Sequence, residues 1–228
     1  MPRASRAVAI SLLALASSTS VLASESQRSV LDTFLVALTD GLRQGECYGD
    51  GPGDGQEDRI KLATMASELS DPNATFSMYG TQINAIDMAV VADDSALLEK
   101  LFAAGVRVRK ENEKTVLVWA AAHDSTPTLV SLLTHGVDPN PHLEGNSVDP
   151  LEDATLHNRA GNVHALINAG ARLERPPNAK GFNVLTAAVI CKNQDLADFL
   201  IARAVRVTDY TKQKAAINGI RLEPLPSH

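Results

Sequence analysis

An alanine followed sixteen residues later by a glycine, or by a residue standing in for one, occurs four times in register: Ala89/Gly105, Ala120/Gly136, Ala154/Gly170 and Ala188/Ala204. Successive units start 31, 34 and 34 residues apart. A fixed period of this size marks a stacked array, in which each unit buries its apolar face on its neighbours rather than in one central core. Other positions keep the same phase. Ile86, Leu117, Leu151 and Leu185 lie three residues before each alanine. The pairs Leu101/Phe102, Leu132/Leu133, Leu166/Ile167 and Leu200/Ile201 lie four and three before each glycine position, with Leu98, Leu129, Val163 and Ala197 seven before it. Offsets of three, four and seven make one apolar stripe on a helix. Each unit therefore reads as two short amphipathic helices, the second ended by a residue suited to positive φ.

On these residues the chain resembles the ankyrin-repeat family, whose unit of about 33 residues carries a T-P-L-H-x-A signature. The corresponding segments are Asn84-Ala-Ile-Asp-Met-Ala89, Thr115-Val-Leu-Val-Trp-Ala120, Asp149-Pro-Leu-Glu-Asp-Ala154 and Asn183-Val-Leu-Thr-Ala-Ala188. None keeps the signature histidine, and only the third keeps the proline. The resemblance covers residues 80–207 and implies an all-α helical solenoid of about four repeats, at 80–109, 110–142, 143–176 and 177–208. The 31-residue first spacing leaves the first inter-unit loop about three residues short, enough to tighten or remove one hairpin finger.

The remainder reads as targeting and caps. Arg3 and Arg6, the apolar run 7–16 and the small-residue pattern at Val21-Leu-Ala23 predict a signal peptide over residues 1–23, cleaved after Ala23. The apolar run is far shorter than the roughly 20 residues needed to span a bilayer, and no later segment reads as a membrane span. A periplasmic or secreted protein is expected. Loss of residues 1–23 takes away two arginines and no acid, moving the formal charge from −6 to −8. An acidic chain without a basic run argues against nucleic acid and anionic membrane as partners. Residues 24–79 are expected to form an N-terminal helical cap, with helices over 29–40 and 57–69 around an acidic, glycine-rich loop at 45–58. A last helix over 210–217 and a frayed tail are expected within 209–228. Ser125-Thr-Pro127, Asp94 and Asn193 read as cap signals at the starts of second helices.

Chemistry-bearing residues are sparse. The segment from Asp50 is similar to a calcium loop in placing Gly55 at position six, but Pro52 and Lys61 occupy two ligand positions, so a solvated loop is expected. His123, His157 and Cys191 each follow a unit's alanine by three residues, forming a ladder. Neighbouring helices pack about 8–10 Å apart, too far for three rungs to share one zinc at about 2.0–2.3 Å. A solvent-facing ladder open to a partner is the expectation, with no metal and no cofactor. Cys47 and Cys191 are a candidate disulfide pair, the alternative being two unpaired thiols. Asp153 takes a position held by Met88, Trp119 and Ala187 elsewhere; a partly exposed site is expected. The single tryptophan, Trp119, is either a packing residue or a binding anchor.

No catalytic motif is present, and a non-enzymatic, monomeric protein-binding module is expected. Ankyrin resemblance implies a concave binding face, here carrying Arg109, Lys110, Glu111, Glu113, Lys114, Trp119, His123, His142, Glu144, Asn146, His157, Lys180 and Phe182. Two exported roles fit: an immunity protein that neutralises a secreted antibacterial toxin, or an accessory scaffold for a periplasmic enzyme such as an oxidative-stress enzyme. An enzyme seated in residues 24–79, or a purely structural envelope role, is the competing class.

Overall fold

In the computed structural model the described residues are 56–69, 71–78, 81–123, 125–142, 149–174 and 181–223. They form ten helices and one small hairpin. Helix α1 (Gln56–Ser67) is followed by strands β1 (Phe76–Met78) and β2 (Thr81–Ile83). Then come four helix pairs: α2 (Ala85–Val91) with α3 (Ser95–Ala103), α4 (Glu113–Ala122) with α5 (Pro127–Thr134), α6 (Pro150–Leu156) with α7 (Ala160–Asn168), and α8 (Val184–Ile190) with α9 (Gln194–Ile201). Helix α10 (Asp209–Asn218) closes the order. The expected helices at 57–69 and 210–217 are thus present with slightly shifted ends. The expected helix at 29–40, the leader and most of the acidic loop lie outside the described residues. The hairpin, antiparallel with Phe76 opposite Ile83, was not anticipated. Among the described residues no helix is long and apolar enough to cross a membrane.

First helices stack on first helices in the order α2, α4, α6, α8, while α3, α5 and α7 form a parallel outer row. Helix α1 packs on α2 and α10 on α8, so each end of the inner row is covered. The period now has a mechanism. Ala89, Ala120, Ala154 and Ala188 are all 0% exposed; a larger side chain there would push the inner helices apart. Three of their carbonyls also close a turn, accepting from the amides of Asp94, Arg159 and Asn193 at 2.8–3.1 Å. The residue before each of those amides, Asp93, Asn158 or Lys192, is left-handed at φ 54°, 58° and 54°. This is the Schellman closure of a helix C-terminus. The second helix of each pair ends the same way. Val106, Val137, Ala171 and Val205 donate to Leu101, Leu132, Leu166 and Leu200 at 2.9–3.2 Å. The preceding residue is Gly105, Gly136 or Gly170 at φ 87–92°, and Ala204 at φ 60°. Alanine and glycine therefore recur sixteen apart because they mark the two C-terminal closures of one helix pair.

The second unit departs from the others. Asn84, Asp149 and Asn183 each cap the helix that follows, accepting from amides two or three residues on. Their counterpart Thr115 lies inside α4, which begins at Glu113. The shortened first connector has no room for a finger and is taken up as extra helix. At its other end α4 runs on to Ala122, with His123 extended after it. Donors to its last carbonyls come from the next unit: the buried Asn162 amide donates to the carbonyls of Ala121 (3.0 Å) and His123 (2.9 Å), with Ala120 at 3.3 Å. Buried carbonyls without a partner are costly, which accounts for an asparagine on α7 where the other units have Leu97, Thr128 and Leu196.

Candidate interaction surface

The array has two long edges, one made of connectors between units and one of the turns inside them. At the first connector, between α3 and α4, the Arg109 guanidinium donates to the Glu111 carboxylate. Lys110 Nζ lies 2.6 Å from Glu113 Oε2. The Lys110 and Glu111 side chains are 84% and 57% exposed. A hydrogen bond from its own backbone amide, and then Arg109, hold the Glu111 carboxyl below its ordinary range, while the Glu113 contact raises the Lys110 ammonium. Exposed pairs of this kind are worth little to stability, so the cluster is a charged surface more than a brace.

Asn112, beside that cluster, turns inward. Its Nδ2 donates to Gln82 O at 2.7 Å and to Asp87 Oδ2 at 3.0 Å. Asp87 also accepts from the Asn84 amide at 2.7 Å. Burial pushes the Asp87 carboxyl up to about 6, against the lowering effect of those donors and of Arg109. The connector's charges thus sit directly over a hydrogen-bonded joint between the first two units. A matching joint lies at the other end, where Thr186, Thr211 and Thr208 hydroxyls form a chain reaching Gly181 O.

The remaining expected contact residues divide. His142 is exposed, and Lys114 and Phe182 are half-buried. Glu144, Asn146 and Lys180 lie outside the described residues. Of the two readings of Trp119, packing residue and binding anchor, the first holds: it is 9% exposed and packs within the apolar cluster, so its place among the expected contact residues is corrected, the indole offering a partner little area.

The turn edge carries the expected ladder, but it is not an open solvent-facing row. His123 Nε2 lies 2.8 Å from Val90 O of the preceding unit. His157 Nδ1 lies 3.0 Å from Asp153 O, and its side chain is 13% exposed. Cys191 Sγ lies 3.2 Å from Leu156 O, and Cys191 is disulfide-bonded. Cys47 lies outside the described residues. Arg159 Nε donates across to Ala122 O at 3.2 Å. Among the described residues no group of three or more His, Cys, Asp and Glu is placed to hold a metal ion. The rungs instead tie unit to unit. The left-handed residues join them: Asp93 accepts from Ser125 Oγ (2.5 Å) and Thr128 Oγ1 (2.6 Å), and Asn158 Oδ1 from Asn193 Nδ2 (2.5 Å). Ser125 and Thr126, expected to cap α5, make no cap bond; the Ser125 hydroxyl reaches back to Asp93. Sequence reading passed over Asp93, Asn158 and Lys192, although their constant offset of four from the alanine was there to be used.

Asp153 is likewise corrected from a partly exposed position to a buried one. It is 1% exposed, and its Oδ1 has no hydrogen-bond partner. Burial, and secondarily the Asp149 charge one turn back, push its carboxyl up to about 8. His157 Nδ1 is 3.6 Å from that oxygen, beyond hydrogen-bond range. The site is therefore a buried carboxyl at a helix interface, favoured in its protonated form by burial, with the His157 ring just beyond hydrogen-bond range.

In comparisons with known proteins, no family model matches this chain, and no curated protein matches it.

Proposed function

We propose that the array is an ankyrin-type solenoid serving as an exported protein-binding module, and that its partner is a secreted antibacterial toxin which it binds and neutralises. The observation that carries this reading is the connector edge. Four ionic side chains within five residues, Arg109, Lys110, Glu111 and Glu113, lie at a connector braced by the buried Asn112–Asp87 joint, with Lys110 and Glu111 the exposed ones. Fixed, desolvatable charges on a rigid support suit electrostatic steering of a protein partner. The mature chain's formal charge of −8 suits a basic one. The accessory-scaffold reading uses the same surface and differs only in what the partner does when bound.

The test is capture of the mature protein's partner from its own cell envelope, followed by titration with purified components. Inhibition of a captured toxin at one-to-one stoichiometry supports immunity. Lys110→Glu and Glu111→Lys are expected to weaken that binding about 10-fold each, in line with rim charges, with unchanged circular dichroism. Unaltered affinity in both variants refutes the connector edge as the contact. A captured enzyme whose activity rises on binding overturns neutralisation in favour of the accessory role.

A further inference from the structure

Two residues after each glycine position the chain carries Arg107, Asp138, Arg172 and Arg206, all of them exposed. Equivalent positions of stacked units form a row along the connector edge, at the helix-packing spacing of about 8–10 Å. Side chains brace its far half from unit to unit. The Arg172 amide donates to Asn140 Oδ1 at 2.7 Å, and Asn140 Nδ2 donates to Gly170 O at 2.9 Å. The Arg206 amide donates to Glu174 Oε1 at 2.6 Å. Arg172 and Arg206 thus leave the fold from fixed points on neighbouring units.

The two halves of the row differ in how their charges are met. Arg107 donates to the carbonyls of Phe102 and Val106. Asp138 lies within electrostatic reach of Lys110, whose ammonium it raises after the larger effect of Glu113. Among the described residues, the Arg172 and Arg206 guanidinium groups have no hydrogen-bond or ion-pair partner. Arg203, three residues before Arg206, adds a third exposed guanidinium without a carboxylate. It lies 3.5 Å from the centroid of the Phe199 ring and donates to Phe199 O at 3.2 Å. His164 of α7 packs on the same ring at 4.3 Å, so one of the three groups is already held in place. The acidic character of the mature chain does not extend to this end. Residues 24–99 hold 14 acids against 4 bases, whereas residues 100–228 hold 15 bases against 13 acids. Screening acts over about 8 Å at physiological ionic strength, so a partner here meets the local row and not the net charge.

We propose that Arg172, Arg203 and Arg206 form a second interaction surface, at the far end of the connector edge, which takes an acidic segment of a partner protein. A guanidinium fork matches a carboxylate, and a stacked one loses less freedom on pairing. Carboxylates three residues apart on an extended segment are about 10 Å apart, the spacing of the row. A densely phosphorylated surface or an anionic bilayer fits less well, because Asp138 and Glu174, exposed on the same edge, meet it with like charge. This surface does not rest on the toxin reading: it shares no residue with the Arg109–Glu113 cluster, so either can fail alone.

The test is a titration of the mature protein with a synthetic peptide of four Glu-Gly-Ser repeats. It is followed by nuclear magnetic resonance of the arginine Nε–H groups, which registers weak binding. Saturable shifts are expected at Arg172, Arg203 and Arg206, while Arg59, on α1 at the opposite end of the array, stays unmoved. The pair Arg172→Gln and Arg206→Gln should weaken binding about 10-fold, and Lys212→Gln on α10 should leave it unchanged. These variants keep the backbone bonds to Asn140 and Glu174, and either single change supplies the reading if the pair fails to fold. Salt at 1 M, where screening acts over about 3 Å, should remove the shifts. The proposal is overturned by the absence of saturable shifts, by equal binding of a peptide of four Lys-Gly-Ser repeats, or by unchanged affinity in the variants. Binding to phosphatidylglycerol vesicles that the variants lose, with no response to the acidic peptide, overturns it in favour of an anionic lipid surface.

Discussion

Replacing Asp153 by Asn is expected to change stability with a sign that depends on pH. The wild-type carboxyl rises from its ordinary 3.8 to about 8 on folding. Between those values the folded protein holds a proton that the unfolded chain has released, so stability falls as pH rises, with a slope of up to about 1.4 kcal/mol per pH unit. Below pH 3.8 this contribution is absent. At pH 7 it amounts to about 4 kcal/mol against folding. Asparagine fits the same volume and does not titrate, but it brings an amide into a site where Oδ1 already lacks a partner, at about 1–3 kcal/mol. The variant should therefore be less stable than wild type near pH 4 and more stable, by roughly 1–3 kcal/mol, at pH 7 to 8. Asp87, also raised, is present in both proteins and cancels in the difference. Urea unfolding at pH 4.5, 6 and 7.5 with an unchanged m-value measures it. A difference that stays constant across that range would refute the argument. It would mean that Asp153 titrates in the native state as it does in the unfolded chain.

The other predictions concern the closures and the joint. Ala204 holds at φ 60° the place that glycine holds in three other units, and it is exposed. Ala204→Gly should therefore raise stability by about 0.5–1 kcal/mol, seen as a rise in thermal midpoint; the converse change Gly136→Ala should lower it by about 1 kcal/mol. Asn112→Ala removes donors to Gln82 O and Asp87 Oδ2 and should cost about 1–3 kcal/mol in urea unfolding. That loss should be larger at pH 8 than at pH 5, because the deprived Asp87 must then ionise while buried. Equal losses at the two pH values would show that Asp87 does not depend on Asn112.

The period placed every helix pair because it records local chemistry: a left-handed residue that closes a helix must be glycine or something that tolerates φ > 0, and an inner-row residue must be small. Those requirements act within a few residues, so Gly105, Gly136 and Gly170 stated them openly, and the shortness of the first connector showed as a missing three residues. What the period could not show was where polar groups find partners across units. Asp153 looked like a surface charge because its own helix gives no hint of how deeply stacking buries it. Trp119 had two readings until the neighbouring helices buried it. Asn162, Asn112 and His123 have partners 39 to 42, 25 to 30 and 33 residues away, separations at which no local pattern operates. By itself the sequence determined the number of units, the residues that end each helix and the small alanines between them. Only the tertiary structure decided which edge is tied by side chains and which carries exposed charge, because burial and long-range hydrogen bonding exist only once the units have stacked.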